Sequence, residues 1–241
     1  MKLKYYSFFV LWGAILLTAF SCATQKKSQD TGANVIAYPA PPAPARIQYL
    51  TSFSNSKDVA KPQSSFSKFV AGEEGAISIN KPYGVAIHDG KIYASDLVLN
   101  QIAILDLEKR TFDYLPTVGL GSLKSPLNIF AGKDDRIYIA DGEREQVVVF
   151  EGDGTYVDAF GGDGEKYKPT DVYADDDKIF VCDLDGGYIQ VYKKDNFEFL
   201  YRFPEAEAGD EEHLYSPTNI DVLGDGVYVS DMGDSKVKIF T

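Results

Sequence analysis

The sequence has 241 residues, a formal net charge of −12 and 44% hydrophobic residues, so it excludes a disordered chain and can supply a sizeable core. The acidic balance argues against nucleic acid as a partner, because phosphate binding needs a basic face. It favours a solvated acidic surface, and the alternative is an acidic channel that attracts a cation.

Residues 1–21 have the pattern of a signal peptide. Lys2 and Lys4 precede the apolar run "FFVLWGAILLTAF", which is too short for a comfortable membrane span. The run ends in "AFSC". The small residue Ser21 directly before Cys22 resembles the bacterial lipobox. The resemblance implies cleavage before Cys22 and lipid on its thiol and new amino terminus. The alternative is a plain secretory signal that is followed by a cysteine by chance.

Residues 22–45 are predicted to be a lipid-attached tether. The proline-rich part "YPAPPAPAR" favours an extended, semi-rigid spacer. Each acyl methylene buried in a bilayer contributes about 0.8 kcal/mol, so two or three chains hold a protein firmly. Ala23 is not the aspartate that retains some lipoproteins in the inner membrane. We therefore expect a cell-envelope location in a Gram-negative host, at the outer membrane and facing the periplasm or the surface.

Four similar segments follow and predict four repeats, near 81–124, 125–167, 168–215 and an incomplete 216–241. Each opens with a proline, and an aspartate follows 14 or 15 residues later. Runs of β-branched and aromatic residues alternate with glycine and aspartate turns, so each repeat predicts four short strands. The fourth strand is missing from the last repeat. The aspartates are Asp96, Asp141, Asp183 and Asp231.

Four-stranded units recurring at this spacing predict a β-propeller, in which each blade covers the faces of its neighbours. The pattern "KPYGVAIHDGKIYASD", with an apolar strand starting six residues later, is similar to NHL-repeat propellers. It resembles in particular the six-bladed bacterial propellers that follow a lipoprotein signal, over roughly Pro39–Thr241.

This resemblance implies an all-β, NHL-type propeller over residues 46–241, with four repeats present of a six-bladed ring. It also implies that the sequence is truncated at its C-terminal end. In such propellers a strand ahead of the first blade completes the last one. The resemblance therefore implies that "IQYLTSF", Ile47–Phe53, pairs with the last blade.

The repeated aspartates are predicted to be structural, because an aspartate at a strand end can accept backbone N–H bonds from the following turn. A second set of polar residues follows the opening prolines by two positions. Its oxygen-bearing side chains at one level of the channel can hold a hard cation such as calcium, as in calcium-dependent lactonases of propeller fold. The alternative is a set of hydrogen-bonded polar channel residues. The residues are Asn128, Asp171 and Asn219.

Two functions from different classes remain open. The first is a membrane-anchored propeller that binds a protein, peptide or glycan through its loops. The second is a metal-assisted lactonase or lyase. The sequence shows no convincing catalytic set and predicts no cofactor other than calcium, so the first is preferred. The acidic insertion "PEAEAGDEEHLYSP", which contains His213, is the longest loop between repeats and the best candidate for a binding loop.

Overall fold

The computed structural model describes residues 37–39, 42–44, 46–65, 69–70, 75–162 and 167–241. The predicted signal peptide and Cys22 lie outside the described residues. The chain divides into two compact units, Met1–Thr51 and Ser52–Thr241. Within the described residues, we find no helix with the length and apolar character needed to span a membrane.

The described part of the first unit contains an antiparallel pair of strands, β1 (Ala37–Tyr38) and β2 (Ile47–Gln48). The Arg46 amide donates a hydrogen bond of 2.7 Å to the Tyr38 carbonyl. The expected pairing of Ile47–Phe53 with the last blade of the ring stays a prediction, because it would join a strand of this unit to a blade of the other.

The second unit contains a short helix, α1 (Ser56–Val59), and four antiparallel sheets, one for each predicted repeat. We call these sheets blades 1 to 4. In each blade the strands lie side by side in chain order. Blade 1 is β3 (Pro82–His88), β4 (Lys91–Asp96), β5 (Gln101–Asp106) and β6 (Thr111–Tyr114); blade 2 is β7 (Pro126–Ala131), β8 (Arg136–Asp141), β9 (Gln146–Glu151) and β10 (Tyr156–Phe160). Blade 3 is β11 (Pro169–Ala174), β12 (Lys178–Asp183), β13 (Tyr188–Lys193) and β14 (Phe199–Phe203); blade 4 is β15 (Pro217–Leu223), β16 (Gly226–Asp231) and β17 (Lys236–Phe240).

One strand begins later than the sequence pattern indicates. The run "FEFLYRF" predicts a strand from Phe197, but β14 begins at Phe199. Phe197 has a positive φ of 58°, and its amide donates to the Lys193 carbonyl in the turn. Its ring stacks on Phe160 at 5.0 Å between centroids. The aromatic residue is thus used for packing against blade 2 and not for extending the strand.

The first strands of neighbouring blades lie next to each other around a common axis. β3 contacts β7, β7 contacts β11, and β11 contacts β15. Hydrogen bonds join the same levels of adjacent blades: Ser95 Oγ donates to the Leu127 carbonyl at 2.7 Å, and Thr170 Oγ1 donates to the Pro217 carbonyl at 3.2 Å. All four first strands are irregular just after their opening proline. The first strands therefore run in the same direction, as in a β-propeller.

The hydrophobic core lies between the blades, in one cluster for each neighbouring pair. In the third strand of blade 3, Ile189 and Val191 are 0% exposed because blade 4 covers them. The equivalent Val237 and Ile239 of blade 4 are 66% and 60% exposed. In the described chain no further sheet packs on that side.

A fourth cluster covers blade 1 from the other side. Val59 of α1 packs with Leu105 and Phe112 of blade 1, and Phe53 and Ile79 lie against this cluster. The segment from Ser52 to the first repeat thus belongs to the propeller unit, and its apolar side chains shield the outer strands of blade 1.

We expect the substitution Gly84→Ala to destabilise the contact between blades 1 and 2. A Cβ at this position would lie 2.5 Å from the Leu127 carbonyl oxygen and 2.8 Å from Asn128 Cα, and both are backbone atoms of the next blade. Overpacking of this kind costs about 1–3 kcal/mol, measured as a lower urea midpoint. Gly75→Ala is the control, because no atom lies within 4 Å of a Cβ there. Equal midpoints for both variants would contradict the close approach.

Candidate functional site

The turns after the second strands and the loops between blades lie at one end of the propeller, which we call the loop face. The other hairpin turns lie at the opposite end, because strands alternate in direction within each blade. The loop face therefore collects the segments that vary most between the repeats. Its described segments are residues 97–100, 115–125, 142–145, 161–162, 167–168, 184–187, 204–216 and 232–235.

A buried aspartate at the end of each second strand fixes the loop face. Asp141 accepts N–H bonds from Lys124 at 2.7 Å and Ser125 at 2.8 Å, and a third from Arg144 at 3.1 Å. One carboxylate thereby joins the loop that enters the blade to the turn that leaves the second strand. Each member of the set is at most 1% exposed. The same double attachment is made by Asp96, Asp183 and Asp231.

In blades 3 and 4 a side chain from the third strand adds to this attachment. Gln190 Nε2 donates to Asp183 Oδ2 at 2.9 Å. At the equivalent place in blade 4, the buried Lys238 ammonium lies 3.2 Å from Asp231 Oδ2. Burial opposes the charge of Asp231, but the amides of the entering loop and Lys238 outweigh it and hold the pKa of Asp231 below its usual value.

The loop between blades 1 and 2 packs against the core at several of its residues. Leu115 and Leu123 are buried in the core between these blades. Between them lies a single turn of 3₁₀ helix, Gly119–Gly121. A Cβ at Gly121 would lie 3.0 Å from the Phe150 ring, so the loop backbone rests directly on that ring. A larger residue at this position would require the Phe150 ring to shift by a few tenths of an ångström.

Arg144 fixes the same loop from the side. Its Nη1 donates to the carbonyls of Leu120 and Ser122, both at 2.7 Å, and its Nε donates to Gln146 Oε1. The Val118 and Leu120 side chains are left 76% and 75% exposed. The sequence interpretation missed these residues; the available signal was a run of aliphatic residues alternating with glycine, "TVGLGSL", in a loop between repeats.

The acidic insertion forms the loop between blades 3 and 4. His213 Nδ1 lies 3.0 Å from the Ala206 carbonyl, and its ring makes an edge contact with Tyr215. The Gly209 amide donates to the Tyr215 hydroxyl at 3.0 Å. The histidine thus holds the loop in shape. The loop exposes the carboxylates of Glu205, Glu207, Asp210, Glu211 and Glu212.

The three predicted metal ligands lie in the first strands, and each makes a hydrogen bond to a neighbouring blade. Asn128 Nδ2 donates to the Thr170 carbonyl at 3.2 Å. Asp171 Oδ2 accepts a hydrogen bond from the Ile220 amide at 3.0 Å, and Asp171 Oδ1 accepts one from the Val172 amide at 2.9 Å. The Asn219 side chain also hydrogen-bonds to Asp171. The structure therefore brings Asp171 and Asn219 together, and a cation would compete with amide hydrogens for the Asp171 oxygens.

Among the three predicted ligands Asp171 carries the carboxyl group, and the pKa of this group is raised. Burial raises its pKa to about 6, although the amides of Ile220 and Val172 and the Asn219 side chain act against the rise. Charge repulsion from Asp221 is a smaller contribution to the raised pKa and is included in this value. Across the described residues, no three His, Cys, Asp or Glu side chains are grouped so that they can hold a metal.

Solved structures share the fold of this chain. No protein-family model matches it, and no curated protein matches its sequence. A streptogramin B lyase structure aligns with 66% of the chain and 54% of its own, at 14% identity and a TM-score of 0.53. A catalytically inactive virginiamycin B lyase from Staphylococcus aureus, with quinupristin, aligns with 66% of the chain and 55% of its own, at 14% identity and a TM-score of 0.51.

A computationally designed protein aligns with 66% of the chain and 89% of its own, at 15% identity and a TM-score of 0.50. The chain spans about half the length of the lyase structures that it matches. At these identities the likeness shows the fold alone. It confirms the prediction of an all-β propeller.

We expect Asp141→Ala to loosen the loop between blades 1 and 2. The amides of Lys124 and Ser125 would lose their acceptor, and an unsatisfied buried donor costs about 1–3 kcal/mol. The urea midpoint should fall, and hydrogen exchange of residues 116–124 should become faster. Asp113→Ala, at an exposed site in the same pair of blades, is the control. Unchanged exchange in the loop would refute the attachment.

We expect Asp171 to make stability depend on pH. Its pKa is about 6 in the folded chain and 3.8 for the ordinary group, so the folded state binds the proton more tightly. Its contribution to stability is therefore present below about pH 4, is lost as pH rises through about 6, and stays constant above that. Asp171→Asn should flatten this part of the profile of unfolding free energy against pH. The same slope in Asp171→Asn and in the exposed control Asp113→Asn would show that another group titrates.

Proposed function

We propose that this chain is a membrane-anchored, NHL-type binding propeller that presents its loop face to a protein, peptide or glycan. The observation that supports this most is the fixed loop face. Buried aspartates attach the entering loops to the turns after the second strands, while large side chains such as Leu120 remain exposed on the loop between blades 1 and 2. Binding by a pre-organised surface loses little conformational entropy, and more of the contact energy therefore appears as affinity.

The anchor in this proposal is the lipid on Cys22, supported by the signal-peptide and lipobox pattern of the sequence. The tether over residues 22–45 gives the propeller its reach above the membrane. Attachment at an envelope membrane raises the effective concentration of the propeller for ligands on the same surface. The proposed location is the outer membrane of a bacterial envelope, facing the periplasm or the surface.

A second candidate function is a metal-assisted lactonase or lyase, with calcium held by Asn128, Asp171 and Asn219. The observation in its favour is the raised pKa of Asp171 beside Asn219, since shifted carboxyl groups concentrate at functional sites. The fold likeness to lyase structures is compatible with it. It ranks second because both Asp171 oxygens already accept amide hydrogens. A rise in melting temperature with added calcium that Asp171→Asn abolishes would reverse this ranking.

We expect a photo-crosslinking residue to capture the ligand at Leu120 and not at Leu107. Both positions are exposed, but Leu120 lies on the loop face and Leu107 lies in a turn at the opposite end. The full chain is expressed in its native host, irradiated in intact cells and analysed by mass spectrometry. Adducts at Leu120 alone would support the loop face. Equal adducts at both positions, or adducts at Leu107 alone, would contradict it.

A further inference from the structure

We propose that the ligand of the loop face is a protein segment that combines apolar side chains with neighbouring Lys or Arg side chains. The apolar part would contact Val118 and Leu120, and the basic part would contact the loop at 204–216. This inference rests on the proposed function and selects one of the ligand classes that it leaves open.

The apolar half of the surface is formed by blades 1 and 2. Val118 and Leu120 lie in the loop that leaves blade 1 and enters blade 2. Val98 and Leu99, also exposed, lie in the turn after the second strand of blade 1, at the same end. Scattered exposed apolar residues are ordinary, but four of them in two segments at the same end of one blade favour an interaction site.

The exposure of Leu120 is imposed by the loop and is not a result of loose structure. Arg144 holds the carbonyls of Leu120 and Ser122, and Gly121 between them rests on the Phe150 ring. The backbone is therefore held from two sides, and the Leu120 side chain is turned away from the core. An aliphatic side chain held in water by its own backbone contributes favourable free energy only when another molecule covers it.

The two halves of the loop face differ in charge. In the apolar half both signs are present: Lys81 and Lys124 are exposed in the segments that enter blades 1 and 2, and Glu143 and Glu145 are exposed in the turn after the second strand of blade 2. The loop at 204–216, together with Asp185 in the neighbouring turn, exposes carboxylates. A basic ligand segment would be attracted and oriented by this half, since complementary charge sets association rate and register.

This combination favours a protein segment over the other ligand classes. An anionic membrane would be repelled by the acidic half. A neutral glycan offers neither cationic groups for the carboxylates nor the aliphatic surface that Val118 and Leu120 would contact. A segment with leucine-like and lysine-like side chains offers both.

The test uses two fluorescent peptides of the same length and pattern, one of Leu and Lys and the other of Leu and Glu. They are titrated with the full chain by anisotropy, at low and at physiological ionic strength. We expect the Leu/Lys peptide to bind and the double variant Val118→Ser, Leu120→Ser to bind it at least about tenfold more weakly. Leu107→Ser, at the opposite end, should bind it as the wild type does. Glu211→Gln with Glu212→Gln should weaken binding mainly at low ionic strength.

Three results would overturn the inference. The first is equal binding of both peptides, and the second is equal affinity of the wild type and the double variant. The third is binding to phosphatidylcholine–phosphatidylglycerol vesicles with no binding of the Leu/Lys peptide, which would identify a membrane surface. If the inference fails in these ways while Leu120 still crosslinks in cells, the binding propeller stands with another ligand. If crosslinking at Leu120 is absent as well, both proposals fail.

Discussion

The structure depends on the hydrogen bonds that four buried carboxylates accept from the backbone. Apolar contacts between blades are strong but have little direction, so by themselves they leave the connecting loops undetermined. A carboxylate that bonds amides from two separate segments fixes the distance between them. The charge can remain buried because several donors surround it, and in blades 3 and 4 Gln190 and Lys238 add one more.

The apolar contacts between blades and the aspartates at the ends of the second strands have different roles. The sheets bury their faces against neighbours, so stability arises from contacts between adjacent blades, as in other repeat proteins. The aspartates contribute to stability and at the same time hold the loop face still. The interblade bonds of Asn128 and Asp171 have a comparable effect near the axis, where polar side chains join neighbouring first strands. The attachment of the entering segment to the turn is thus a feature of every described blade and not of one loop.

The sequence predicted those features that local chemistry determines. Runs of β-branched and aromatic residues between turn residues predicted the strands of each repeat, because propensity and turn chemistry act over short distances. It failed where distant segments meet. The Arg144 contact with Leu120 joins residues that are 24 positions apart, and two partners of Asp171, Asn219 and Ile220, come from the next blade. Phe197 was assigned to a strand because its aromatic character suits one, but packing on Phe160 took precedence.

The aspartate attachment also has a consequence for how such a surface can change. The loops that enter blades 2 and 4 differ in length and chemistry, yet both end in two amides bound by the same kind of carboxylate. A new segment has to present these two amides in front of the proline and to keep the side chains that reach the core, Leu123 in one loop and Leu214 in the other. Its exposed positions can change without disturbing the blade. Such a scaffold is suited to loop grafting, and natural diversification or directed evolution can replace one recognition loop while the others keep their shape.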